Sequence, residues 1–167
     1  VLPYEESSRV PLIIYDPRSQ KKTDRCNAVT ANIDLAATIL DAALGKALHG
    51  NGRSLLKHYA TSSNQHRDRI IPLINVWGPE QVFSLGFVKG EWKYIYWPYA
   101  GDGMKPAAEI YNLKEDPLEL HNRINDQSIQ DIRLRLEKDY DLLVRGWVQQ
   151  SIDRPHYKHT ATLFTRK

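Results

Sequence analysis

One cysteine, Cys26, in 167 residues excludes a disulfide within the chain and leaves the redox compartment open. Long apolar runs are missing as well: none approaches the roughly 20 residues that a membrane-spanning helix needs. Strong charge of one sign is also lacking. The 23 basic and 20 acidic residues are spread along the whole sequence and sum to +3, too mild and too dispersed to argue for nucleic acid. Internal repeats and low-complexity tracts are absent, which leaves an ordinary folded chain. No secretory leader is visible. The chain opens at Val1 inside an apparently structured region, so the natural N-terminus is expected upstream and the missing leader says nothing about secretion.

What is present fits that picture. Hydrophobic residues make up 41% and charged residues 26%, the balance of a globular domain or part of one. A folded chain of this size buries roughly two-thirds of its unfolded surface, enough for a real core. Four Trp and nine Tyr supply large side chains for a core or a binding cleft.

Val10 to Tyr15 is a continuous apolar run closed by Asp16-Pro17, the pattern of a strand buried on both faces in a parallel sheet. Pro11 removes one ladder donor near its start, where the loss is best tolerated. Asn32 predicts a helix cap, with the helix running from Ile33 to about Leu44 and ending at Gly45. Ala36, Ile39, Leu40, Ala43 and Leu44 share one face of it. Residues 46–69 read as a long surface excursion anchored by Leu55 and Leu56.

A β-rich section follows. Ile70–Val76 and Val82–Val88 are strand candidates, and Lys89-Gly90-Glu91 makes a tight turn into Trp92–Trp97, a hairpin signal. Glu109–Leu113 completes a small antiparallel sheet of about four strands. Ser128 with Asp131 resembles a capping box for a last helix. On it Ile129, Ile132, Leu136, Tyr140, Leu143 and Trp147 form one apolar stripe. The tail from Ser151 is basic and expected to be partly disordered.

Five segments, in order, resemble the C-terminal third of sulfatases of the alkaline-phosphatase superfamily. Tyr4 to Arg18 is similar to the family's YEES-x-RVPLIIYDPR segment. Ile33 to Asp41 resembles its DLAPTLLDLAG helix, with Ala37 in place of the usual Pro. Gly52-Arg53-Ser54-Leu55 matches its G-x-SL anchor. Trp92-Lys93-Tyr94-Ile95 resembles its KYI strand. Ile110 to Glu119, with Asn122, resembles ELYDL-x-x-DP-x-E-x-x-N, with Asn112 for the usual Asp.

The resemblance implies an α/β fold: residues 1–69 as the end of a sulfatase α/β core, 70–150 as a subdomain of about four antiparallel strands packed by a long helix, and 151–167 as a basic tail. It implies a sulfuric ester hydrolase of arylsulfatase type, in which a formylglycine nucleophile and a calcium ion act on the sulfate. Both are expected upstream of this chain, which on its own is expected to be inactive. The expected partners are the N-terminal catalytic part of the same protein and a sulfated small molecule or glycan, with no nucleic acid and no membrane. A periplasmic or secreted location is compatible with the family.

No catalytic or metal-binding residue is expected in this chain. Cys26 lacks the Pro and Arg of the C/S-x-P-x-R motif and reads as structural. His49, His58, His66, His156 and His159 show no recognisable ligand spacing, and His121 belongs to the turn after Asp116-Pro117. Glu119 reads as turn chemistry as well. Alternation puts Trp92, Tyr94 and Tyr96 on one strand face, where packing on the last helix competes with sugar stacking. Arg18, after the first strand, and Trp77, after the Ile70–Val76 strand, are the candidate substrate contacts, because open α/β sheets and loops place ligands there. Two other readings stand beside the sulfatase: a phosphate or phosphonate ester hydrolase of the same superfamily, and a free-standing carbohydrate-binding module.

Overall fold

The computed structural model describes residues 2–17, 28–45, 52–56, 69–99, 103–151 and 155–166. They divide into two compact units, residues 1–10 with 72–167, and residues 11–71.

The first unit is built on a four-stranded sheet in the order β1 (Ile70–Asn75), β2 (Ser84–Lys89), β3 (Trp92–Trp97) and β4 (Ala107–Asn112). β2, β3 and β4 pair antiparallel, with Phe87 opposite Tyr94 and Tyr94 opposite Ile110. Lys89 pairs with Trp92 across a two-residue turn whose Gly90 has φ 60°, the left-handed value glycine adopts at no steric cost. Strand alternation then sorts the side chains of β3. Trp92, Tyr94 and Tyr96 point to one face, Lys93, Ile95 and Trp97 to the other.

The long helix α3 (Gln130–Gln150) covers the first of those faces. Tyr140 is fully buried and its ring meets those of Tyr94 and Tyr96 at 5.2 and 5.4 Å. Each such aromatic pair adds about 0.5–1.5 kcal/mol beyond the area it buries. The sheet-facing competition is therefore decided for core packing at Tyr94 and Tyr96. Leu136 and Val144 continue the buried stripe, and Lys89 of β2 pairs with Asp139 of α3 at 2.7 Å.

Several sequence expectations change. The last helix starts at Gln130 without a Ser128 cap; Asp126 instead accepts the Ser128 N–H at a preceding 3-10 turn, Gln127–Ile129. The basic tail is not disordered where it is described: α4 (Pro155–Leu163) packs on α3. Trp147 stacks on Phe164 at 5.8 Å, and the Tyr140 hydroxyl donates to the Phe164 carbonyl at 2.9 Å. Apolar residues hidden among the tail's charges, Ala161 and Phe164, supply the buried contact.

The second unit holds helix α2 (Ile33–Leu44), which ends as expected at Gly45 with φ 61°. Its buried face is the polar one. Asp34 and Thr38 are buried, while Ile39, Leu40 and Leu44 of the apolar stripe are exposed. Asn32 makes no side-chain cap; the Asp34 carboxylate takes the Ala31 N–H instead, at 2.9 Å. Thr38 donates to the Asp34 carbonyl and accepts from the Leu55 N–H, which explains why Leu55 is the anchor. Gly52 lies so close to this helix that a Cβ there would collide with the Ile33 carbonyl oxygen. Val10–Tyr15, expected as a buried strand, takes no strand pairing among the described residues; Ile13 is 91% and Tyr15 86% exposed. A strand exists only where a neighbour supplies ladder partners, and the described residues supply none to this run.

Candidate functional site

The most unusual chemistry of the sheet unit lies on the face turned away from α3. Lys93, the second residue of β3, is fully buried. Its ammonium lies 2.7 Å from the Glu5 carboxylate and 2.8 Å from that of Glu119, and it donates to the Pro3 carbonyl at 3.0 Å. A buried charge is tolerated only when paired and hydrogen-bonded in this way. Glu119 stands at φ 55°, a conformation that non-glycine residues rarely adopt. Its second oxygen accepts the Glu5 backbone N–H. The oxygen facing Lys93 is buried and has an ion-pair contact without the alignment of an ordinary hydrogen bond.

Glu109 of β4 makes a second grip beside the first. Its carboxylate accepts from the Tyr4 hydroxyl, the Tyr111 hydroxyl and the Trp97 indole N–H, each at 3.1 Å. The Tyr4 ring packs edge-on against Tyr111 at 6.3 Å, and Tyr99 stacks on Trp97 at 5.9 Å. Burial, followed by the negative Glu109, pushes the Tyr4 hydroxyl up to about 12 and raises Tyr111 further. Both phenols therefore stay protonated donors at neutral pH. The short helix α1 (Glu5–Ser8) starts at this clamp, so Pro3, Tyr4 and Glu5 are fixed on the sheet by residues about 90 to 114 positions later.

The turn after β4 builds the approach to Glu119. Asn112 accepts the Lys114 N–H, and Asp116 accepts those of Leu120 and His121. Asn122 accepts from Ile110 and donates to the Ala108 carbonyl, which closes the outer edge of β4. Turn chemistry is thus right for Asp116. Glu119 is different: its carboxylate reaches back into the sheet.

Elsewhere on this unit a groove of about 780 Å³ runs between β4 and α3, with Tyr94, Tyr96, Arg133, Glu137, Asp141 and Arg166 among its walls. Arg166 grips Asp141 with two hydrogen bonds of 2.8 Å, which lowers the Asp141 carboxyl below its usual range. Arg133 meets Glu137 at 2.8 Å. Four of the charged side chains in its walls, Arg133, Glu137, Asp141 and Arg166, are held in ion pairs.

In the second unit the Asp34 carboxylate is fully buried. Arg69 clamps it with two bonds of 2.7 Å, and the Arg53 N–H adds a third at 2.8 Å. Burial pushes this carboxyl up, but Arg69 and the backbone donors outweigh it and hold it below 3.8.

Among the candidates read from sequence, Trp77 is 75% exposed on the loop after β1. The loop is fixed at its base by Asn75, whose amide donates to the Val82 carbonyl at 3.1 Å. Arg18, Cys26, His49, His58 and His66 lie outside the described residues. His121, His156 and His159 are exposed, and among the described residues no three His, Cys, Asp or Glu side chains converge as metal ligands. No described helix is long and apolar enough to cross a membrane. Lys93 and Glu109 were not singled out from sequence. The available signal was a lysine at an inward position of a strand that is aromatic on both faces.

Residues 2–145 match the family model described as N-sulphoglucosamine sulphohydrolase, C-terminal. No curated protein matches the chain significantly in sequence. Among solved structures, the chain is similar to BT4656, determined in complex with its substrate D-glucosamine-2-N,6-O-disulfate. That match has 21% identity and a TM-score of 0.52, covering 72% of this chain and 24% of that one. It is also similar to Ps i-CgsB, with 16% identity, a TM-score of 0.56, and 82% and 27% covered. The chain thus spans about a quarter of the length of these structures. With a family model covering most of its length, the chain belongs to the N-sulphoglucosamine sulphohydrolase C-terminal family.

Proposed function

We propose that this chain completes a sulfate-ester hydrolase and shapes its substrate cleft, while the groups that break the ester lie in the upstream part of the same protein. The supporting observation is the apolar surface left exposed by the described residues between 11 and 45. There Asp34 and Thr38 are inside, while Ile13, Tyr15, Ile39 and Leu44 face outward. Such an apolar surface marks an interaction face, and upstream sulfatase core is the partner its family membership supplies. In that setting Val10–Tyr15 gains the ladder partners it lacks here and becomes a strand.

On this reading a formylglycine and a calcium ion would be held by the upstream part, where they would supply the nucleophile and offset the charge of the sulfate. The described residues of this chain do not fit a calcium site, and they contribute walls and positioning. The substrate class is a sulfated sugar, with sulfated glucosamine first, in keeping with the family's description and the sugar bound by BT4656. Trp77 and Arg18 are the proposed substrate contacts. An exposed indole on a loop fixed at its base suits stacking on a sugar ring.

The test is hydrolysis by the full-length protein of N- and O-sulfated glucosamine beside a phosphonate and a phosphate monoester. Sulfate release is expected to dominate. Trp77→Ala is expected to raise KM about three- to tenfold with little change in kcat, the mark of lost binding that is uniform along the reaction. Preferred cleavage of the phosphonate or phosphate would replace this reading, and an unchanged KM would remove Trp77 from the cleft.

A further inference from the structure

We propose that Lys93 and Glu119 are positioning residues that set the path of the chain entering the subdomain at Pro3–Glu5, and so hold the upstream catalytic part in register with the antiparallel sheet. This rests on the reading that a catalytic part precedes the chain.

The geometry favours positioning over simple adhesion. A buried apolar side chain would cover the same sheet face at lower desolvation cost than an ammonium. Ile95 and Trp97, the neighbours of Lys93 on that face, do cover it in that way. Lys93 instead makes two of its three contacts with the entry segment, to the Pro3 carbonyl and the Glu5 carboxylate. Glu119 takes the Glu5 N–H on one oxygen while its other oxygen faces Lys93. Glu109 holds the residue between them through the Tyr4 hydroxyl. Three consecutive residues are thus gripped by directional bonds to a backbone carbonyl, a side-chain hydroxyl and a backbone N–H. Apolar packing tolerates sliding by a fraction of a residue, whereas a directional bond to each of three successive residues does not. The left-handed φ of Glu119 is held against its steric cost, as expected where a side chain must be aimed.

The test uses the full-length protein with Lys93→Met and Glu119→Met combined, which removes both charges and the acceptor of the Glu5 N–H and roughly keeps the volume. Hydrogen exchange at the Glu5 amide is expected to rise about tenfold or more while amides of β3 and the Tyr140 region keep their protection. In the same variant kcat for sulfate release is expected to fall at least about tenfold with KM within about twofold. Glu119→Asp, which keeps the charge, is expected to recover part of kcat. Unchanged exchange at Glu5 would overturn the grip whatever the enzyme's substrate proves to be. Raised exchange with wild-type kcat and KM would overturn the link to catalysis. A double variant that no longer unfolds cooperatively would make the pair a folding element and overturn positioning. Absence of sulfatase activity in the wild type would strike the functional reading alone, because the exchange measurement stands without it.

Discussion

Lys93→Ala is expected to destabilise the sheet unit by about 3–5 kcal/mol, the usual cost of leaving a buried charge without its partner. The substitution strands the Glu119 carboxylate, whose side chain is fully buried, and opens a cavity at the start of β3. Glu5 is more accessible and can turn to solvent, so Glu119 carries most of the penalty. The combined Lys93→Met and Glu119→Gln change should cost clearly less than Lys93→Ala, because it removes the charges together and retains the packing. Urea denaturation of the three proteins, followed by tryptophan fluorescence, measures the difference. Equal midpoints for Lys93→Ala and wild type would mean that the ammonium contributes nothing to stability.

Asp34→Ala is the second large effect, again about 3–5 kcal/mol, and it falls on the other unit. Arg69, itself largely buried, loses both of its partner oxygens, and the N–H groups of Ala31 and Arg53 lose their acceptor. The loop carrying Gly52 to Leu55 then loses a tie to α2, while the Leu55 N–H on Thr38 remains. The same site predicts an acid dependence. The folded carboxyl takes its proton at a lower pH than the unfolded one, whose ordinary value is 3.8. Between those values the unfolded chain binds more protons, so stability from this site is full above the unfolded value. It is lost as pH falls through the folded value. Asp34→Asn should therefore differ from wild type most near neutral pH and converge with it in acid. Unfolding midpoints taken from about pH 7 down to about pH 3 test this, and a gap that widened in acid would contradict it.

Much of the fold was legible because its signals are local. The hairpin across Gly90, the helix stop at Gly45 and the apolar stripe of α3 each rest on residues within a few positions of one another. The failures share a cause. Lys93 and Glu119 meet Glu5 across 88 and 114 positions, and no periodicity reports a contact of that range. The motif strings flagged Tyr4, Glu5, Lys93 and Glu119 as parts of separate segments, yet gave no hint that the segments converge. Glu109 was hidden for a further reason: strand alternation puts it on a face that looks solvent-exposed until Tyr4 covers it. For α2 the apolar pattern was read correctly and the burial was not, whereas the exposed run Val10–Tyr15 is what a C-terminal piece without its sheet neighbours is expected to show. A hydrophobic stripe states that a partner is wanted, and among the described residues that partner is missing. The tail erred in the opposite direction, since its charges and histidines masked the two residues, Ala161 and Phe164, that dock it.

The division of labour between this chain and an upstream part is the central claim, and sulfate release measures it most directly. Full-length protein and the 167-residue chain would be given the same sulfated glucosamine, with inorganic sulfate determined in each. Release by the full-length protein and none by the chain is the predicted result. Sulfate release by the chain alone would contradict it, because the ester would then be broken by groups within these 167 residues.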